Sequence, residues 1–187
     1  MKRGIIYIPG LGNDKLLDPQ RKVVSKWTRR WDHVLFFEPK WHEDETADAK
    51  FKRLLKEFDA LPEGYTWRVT GASAGGPISI RLFDARTDQI SNLKLVCPKI
   101  KGYETIGDWY KKVAPGFADQ VKKSQEILKS IDSSLLARVK IYKPIYERVV
   151  YLDDMAVPGM KVVRLPLFGH TFTIAKVLVF LLGRKRF

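Results

Sequence analysis

Gly71-Ala72-Ser73-Ala74-Gly75 follows directly on the apolar run at residues 65–70. This is a G-x-S-x-G pentapeptide with a predicted strand before it and a predicted helix after it, the setting in which the pattern carries mechanical meaning. A serine there sits on a sharp strand-to-helix turn. Glycines two residues to either side remove Cβ atoms that would collide when the turn imposes strained backbone angles. The hydroxyl then projects above the sheet, and the helix N-terminus behind it favours developing negative charge. The pentapeptide makes Ser73 the candidate nucleophile.

A serine hydroxyl needs a base, and the base needs an acid to orient it. The chain has three histidines, His33, His42 and His170. His33 opens an early apolar run, and His42 lies in the polar stretch Trp41-His42-Glu43-Asp44. His170 follows the apolar run at 162–165, within Pro166-Leu167-Phe168-Gly169-His170-Thr171, and so has the position after a late strand that a base requires. For the acid, residues 148–152 read as a strand that runs into Asp153-Asp154-Met155-Ala156-Val157-Pro158. Neighbours leaving a strand point to opposite sides, so one of Asp153 and Asp154 is expected to meet His170.

The order serine, aspartate, histidine, each at a predicted strand end, resembles the α/β-hydrolase superfamily over nearly the whole chain. The resemblance rests on the elbow at Ser73, on Asp154 four residues before Pro158, and on Gly169-His170. It favours Asp154 as the acid, with Asp153 as the alternative. It also gives a role to Pro9-Gly10-Leu11-Gly12, which follows the first apolar run at 4–8. Many members have His-Gly there, where this chain has Pro9-Gly10. The oxyanion hole would be the backbone N–H groups of Leu11 and Ala74. The length of 187 residues suits a single domain over 1–187, and the resemblance further implies a helical cap within about 99–144, with Trp109, Tyr110 and Phe117 lining an acyl pocket. The implied activity is that of a carboxylic-ester or related acyl hydrolase working through an acyl-enzyme on Ser73.

The remaining pattern fits that fold class. Predicted strands at 4–8, 33–37, 65–70, 93–97, 148–152 and 161–165 alternate with amphipathic helical stretches. Alternation of this kind argues for an open, mostly parallel sheet of about six strands with helices on both faces. Asp18-Pro19 reads as an N-cap and first helical residue. The next helix starts near Asp44, and Pro77 is tolerable in the first turn after the elbow. Residues 98–144 read as two or three short helices. Only residues 153–160 separate the fifth and sixth predicted strands, too few for an ordinary crossover helix. The apolar stretch at 172–182 reads as the last sheet-covering helix, followed by the basic Arg184-Lys185-Arg186.

Composition adds bounds. The 187-residue chain is 45% hydrophobic, ordinary for a globular domain. Its single cysteine, Cys97, excludes an internal disulfide, suits a cytoplasmic location and reads as a small buried apolar residue. No cysteine or histidine spacing suggests a metal, and the expected chemistry needs no cofactor. No stretch reads as a signal peptide or a membrane span. The formal net charge of +13 attracts anions, whether a small acyl substrate or an anionic membrane surface met from outside. Much of it sits at Lys22, Lys26, Arg29 and Arg30 and at Lys111, Lys112, Lys122, Lys123 and Lys129, and solvated helix faces account for such runs. The alternative function is a non-catalytic hydrolase-fold protein that binds an anionic membrane or nucleic acid through this basic face, although no aromatic-basic nucleic-acid motif is present. A dinucleotide fold is a third reading of Gly10-Leu11-Gly12, but Lys15 occupies the third glycine position of that fingerprint.

Overall fold

Ile5, Ile6, Tyr7 and Ile8 are all fully buried, in successive positions of one strand. Neighbouring side chains on a strand point to opposite faces, so this strand must be covered on both sides, as the central strands of a parallel sheet are. The computed structural model describes residues 2–12, 14–29, 31–147, 149–150 and 152–179. It has the strands β1 (Lys2–Ile8), β2 (His33–Phe36), β3 (Tyr65–Ala72), β4 (Ile90–Val96), β5 (Val139–Tyr146) and β6 (Lys161–Phe168). They form one six-stranded sheet in the order β2-β1-β3-β4-β5-β6. Every neighbouring pair is parallel.

The helices are α1 (Asp14–Ser25), α2 (Ala47–Asp59), α3 (Gly75–Ala85), α4 (Asp108–Val113), α5 (Phe117–Ser130), α6 (Ser133–Leu136), α7 (Leu152–Met155) and α8 (His170–Val177). One sheet face carries Ile6, Ile8, Val69, Leu93 and Leu95 and packs on Leu54 and Phe58 of α2, Ile78 and Leu82 of α3 and Leu128 of α5. The other face carries Ile5, Tyr7, Ala72, Val96 and Tyr142 and packs on Val24 of α1, Trp27, Trp31 and Val177 of α8. Because the chain passes from β1 to β2 on one side and returns to β3 on the other, the loops after β1 and β3 diverge at the carboxyl end of the sheet. Such a switch point is where open α/β sheets place their ligands.

Several expectations shift. The α1 helix begins at Asp14 rather than at Asp18-Pro19, and Pro19 lies inside it. Asp18 does not cap the helix; its carboxylate pairs with Arg21 one turn on, at 2.5 Å. The α2 helix starts at Ala47, where the hydroxyl of Thr46 accepts the Ala49 N–H at 3.1 Å. The larger correction lies nearer the C-terminus. The segment expected to be helical through 144 is helical only to Leu136, and Val139–Tyr146 is the fifth strand. The described residues among 148–152 do not form it. Arg148 and Tyr151 lie outside the described residues, Val149 and Val150 are in a bend, and Leu152 opens α7. The β5–β6 connection is therefore long enough to hold a one-turn helix, as a parallel crossover requires. Pro144 is accommodated at the register shift between β5 and β6, where its missing N–H interrupts no regular ladder. Residues 180–182 of the expected last helix and the tail at 184–186 lie outside the described residues. Among the described residues no helix is long and apolar enough to cross a membrane.

Candidate active site

The elbow is built as the pentapeptide requires. β3 ends at Ala72, α3 begins at Gly75, and Ser73 between them has φ of 49°. A non-glycine residue in that region stores strain on the order of 1–3 kcal/mol. The flanking glycines are needed for space. A Cβ on Gly71 would come within 2.3 Å of the Ser79 hydroxyl, and one on Gly75 within 2.3 Å of the Ile8 carbonyl oxygen. The Ser73 N–H donates to Val96 O at 2.8 Å, which ties the turn to the end of β4. No side chain caps α3, and the Gly76 N–H donates to Ser73 O at 3.0 Å, which closes the turn.

The histidine arrives from the far side of the sheet. Gly169 follows β6 with φ of 84°, and His170 opens α8. Its Nε2 lies 2.9 Å from Ser73 Oγ. Its Nδ1 lies 3.1 Å from Glu147 Oε2. The Gly169 N–H donates to Tyr146 O at 3.1 Å, holding the ends of β5 and β6 together and Glu147 beside His170. Ser73, His170 and Glu147 thus form one hydrogen-bonded line across three strand ends.

The acid expected at Asp154, or at Asp153, is not in that line. Asp154 sits on α7, beyond the bend, and turns toward the loop after β4. Its Oδ2 pairs with Lys99 Nζ at 2.5 Å, and its carbonyl oxygen accepts the N–H groups of Ile100 and Lys101 at 2.9 and 3.1 Å. Asp153 is exposed. The physical reason is the position of β5. A carboxylate reaches a neighbouring strand's histidine from just past its own strand's end, and the residue just past β5 is Glu147.

Glu147 is well held. Its side chain is 3% exposed, and its Oε1 accepts the Val149 N–H at 2.8 Å. Burial pushes its pKa up, but the hydrogen bonds from His170 and the Val149 N–H outweigh this and hold the carboxyl below the ordinary value for glutamate. The buried Cys97 thiol lies beside it. Cys97 is fully buried with φ of 47°, and burial foremost, then the Glu147 carboxylate, pushes its thiol pKa well up, so it is a thiol and not a thiolate. One donor atom each from Cys97, Glu147 and His170 lie within 4.8 Å of one another, a grouping invisible in the linear sequence. The His170–Glu147 hydrogen bond and the close approach of the β4, β5 and β6 ends account for that proximity.

Above the serine is a cavity of about 390 Å³. Leu11 and Ala74 line it beside Ser73 and His170, and so do Trp109, Tyr110 and Phe117. Among the described residues, the Leu11 and Ala74 amides are not spent on turn or sheet hydrogen bonds. Trp109 is 65% exposed and stacks edge-on against Tyr110, while Phe117 is buried against Trp41. The wall is completed by Ile106, Val149 and Val150, with Lys99, Thr105 and Asp154 as a polar corner. The other two histidines lie elsewhere. His33 packs on Tyr65 and Trp67, and His42 has its ring nitrogens 2.8 and 3.3 Å from the carbonyl oxygens of Val113 and Gly12.

No protein-family model matches the sequence, and no curated protein is matched by it. Solved structures match along nearly its full length. Alpha/beta hydrolase domain-containing protein 10 from mouse superposes with a TM-score of 0.66 at 16% identity, over 96% of this chain and 86% of that one. A metagenome-derived lipolytic enzyme gives 0.64 at 12% identity, over 95% and 87%. Est1E from Butyrivibrio proteoclasticus gives 0.62 at 16% identity, over 95% and 86%. With the parallel sheet, the elbow after β3 and the order of elements, these likenesses establish that the chain has the α/β-hydrolase fold.

Proposed function

We propose that this protein is a serine hydrolase that cleaves a carboxylic ester or related acyl compound through an acyl-enzyme on Ser73. The observation that carries the reading is the continuous hydrogen-bonded path from Ser73 Oγ through the His170 ring to Glu147. Nε2 of His170 takes the hydroxyl proton as Oγ attacks the acyl carbon. Glu147 holds the other ring proton on Nδ1, fixes the tautomer and stabilises the imidazolium that forms. The Leu11 and Ala74 N–H groups receive the oxyanion. As the tetrahedral intermediate collapses, the bond to the leaving alcohol breaks and that alcohol takes the proton from Nε2. Water then adds to the acyl-enzyme, giving its proton to Nε2, and the Ser73 ester bond breaks to release the carboxylic acid and restore the hydroxyl. The apolar wall of Ile106, Trp109, Tyr110 and Phe117 would hold the acyl chain, so that the segment from about residue 99 to Leu136 serves in part as a cap. This chemistry suits a cytoplasmic protein with one buried thiol.

A fluorophosphonate probe tests the proposal. Labelling of the folded protein should place the adduct on the peptide containing Ser73, and Ser73→Ala should abolish both labelling and 4-nitrophenyl acetate turnover. Undiminished turnover by a folded Ser73→Ala protein would refute it.

A further inference from the structure

Away from Ser73, His170 and Thr171 the cavity wall is mostly apolar, with one charged corner. Lys99 Nζ donates to Asp154 Oδ2 at 2.5 Å and to Thr105 Oγ1 at 3.0 Å, and all three residues line the same cavity as Ser73 and His170. An ammonium has three N–H donors. Two are committed, and among the described residues the third has no acceptor. The Lys99 and Asp154 side chains are only 15% and 17% exposed, so the pair is largely withdrawn from bulk water at the cavity wall. Two anchors fix the ammonium in one place, which removes most of the side-chain entropy a ligand would otherwise have to overcome.

We propose that Lys99 recognises a carboxylate on the substrate, so that the preferred substrates are monoesters of dicarboxylic acids whose free carboxylate binds the third N–H while the ester carbonyl lies at Ser73. The proposal rests on the esterase reading and adds the substrate class. The apolar wall suits the methylene spacer between the two ends, and the net charge of +13 favours approach of an anion. Asp154 holds the ammonium in position. This gives Asp154 a part in recognition and none in proton transfer.

The test compares 4-nitrophenyl monoesters of adipic and pimelic acid with neutral isosteres in which an isopropyl group replaces the carboxylate. A charge-assisted hydrogen bond of this kind favours the carboxylate esters in kcat/KM by about ten- to a hundredfold. Lys99→Met should bring that ratio close to one, and Lys99→Arg should keep most of it. A wild-type ratio near one overturns the proposal without any variant, and so does a preference that survives Lys99→Met. Calorimetry with adipate supplies a readout free of catalysis. The Ser73→Ala protein should bind it, and addition of Lys99→Met should weaken that binding at least tenfold. If Ser73→Ala still hydrolyses both ester classes, the esterase reading fails, and adipate binding still decides the role of Lys99.

Discussion

Glu147→Gln is the sharpest perturbation available, because it changes one atom type in a fully specified hydrogen-bond geometry. The carboxylate accepts on both oxygens, from the Val149 N–H at 2.8 Å and from His170 Nδ1 at 3.1 Å, and the side chain is 3% exposed. A glutamine amide has one acceptor and one donor end. If its oxygen stays on the Val149 N–H, its NH₂ faces Nδ1. The ring must then accept there, and its proton moves to Nε2, 2.9 Å from Ser73 Oγ, where the proposed mechanism needs an unprotonated base. If the amide turns over, its NH₂ meets the Val149 N–H donor to donor in a buried site, which costs about 1–3 kcal/mol. Either orientation disables the base or loosens it. The expected loss in kcat is about 10⁴, the scale of a histidine held in the wrong tautomer. The assay is steady-state hydrolysis of a neutral 4-nitrophenyl ester, with melting curves to verify folding. Asp154→Asn should cost far less, because its carboxylate meets Lys99 and not the ring. Asp153→Asn, at an exposed position, should cost nothing measurable. A loss below tenfold in folded Glu147→Gln, or an equal loss in Asp154→Asn, would refute the assignment of the acid.

The same carboxylate has a signature in stability. Its folded pKa lies below the ordinary 4.5, so the unfolded chain takes up its proton first as pH falls. Its contribution is complete above about pH 4.5, where the unfolded carboxyl is ionised, and is lost as pH drops through the folded value. Glu147→Gln should therefore flatten the acid limb of the stability profile, measured by urea unfolding between pH 6 and pH 3. An unchanged acid limb would argue against strong hydrogen bonding to this group.

Two further outcomes follow from the packing. Gly10→Ala would set a Cβ 2.7 Å from Ser73 Cβ and 3.0 Å from the Ala72 carbonyl oxygen, neither at the end of a flexible side chain. Overpacking of this kind should destabilise by about 1–3 kcal/mol and slow fluorophosphonate labelling as the elbow shifts, read by denaturant unfolding and labelling rate. Lys94, on β4 and only 4% exposed, has its pKa lowered to about 7 by burial, with Arg68 and Lys140 adding to the effect. The unfolded chain keeps that proton to about 10.5, so the stability term from Lys94 rises with pH from about 7 to 10.5. Lys94→Met should raise Tm at pH 7 by on the order of 5 °C, and a lowered Tm would mean that the charge is compensated in place.

The parts of the fold that could be read from the chain are those where one local pattern decides. The elbow declares itself because a strained strand-to-helix turn needs small residues on both sides of Ser73. The strand at Lys2–Ile8 and the helix at Ala47–Asp59 declare themselves by unbroken apolar runs or by helical spacing. The fifth strand is different. Val139-Lys140-Ile141-Tyr142-Lys143-Pro144-Ile145-Tyr146 carries two lysines and a proline, and its neighbours on both sides supply the reason these are tolerated. Lys143 is buried by tertiary packing, and Pro144 falls at a register shift that no local pattern reveals. The carboxylate beside His170 takes its place from the end of that strand. Asp154 before Val157-Pro158 had the more familiar look, yet a carboxylate serves His170 only if the backbone delivers it to the neighbouring strand end. Glu147 is delivered there by β5, and the Gly169–Tyr146 hydrogen bond closes the distance. The available signal is the β-branched and aromatic content of Val139, Ile141, Tyr142, Ile145 and Tyr146, with Glu147 directly after them. In this fold strand register, more than spacing to a proline, determines which carboxylate reaches the imidazole.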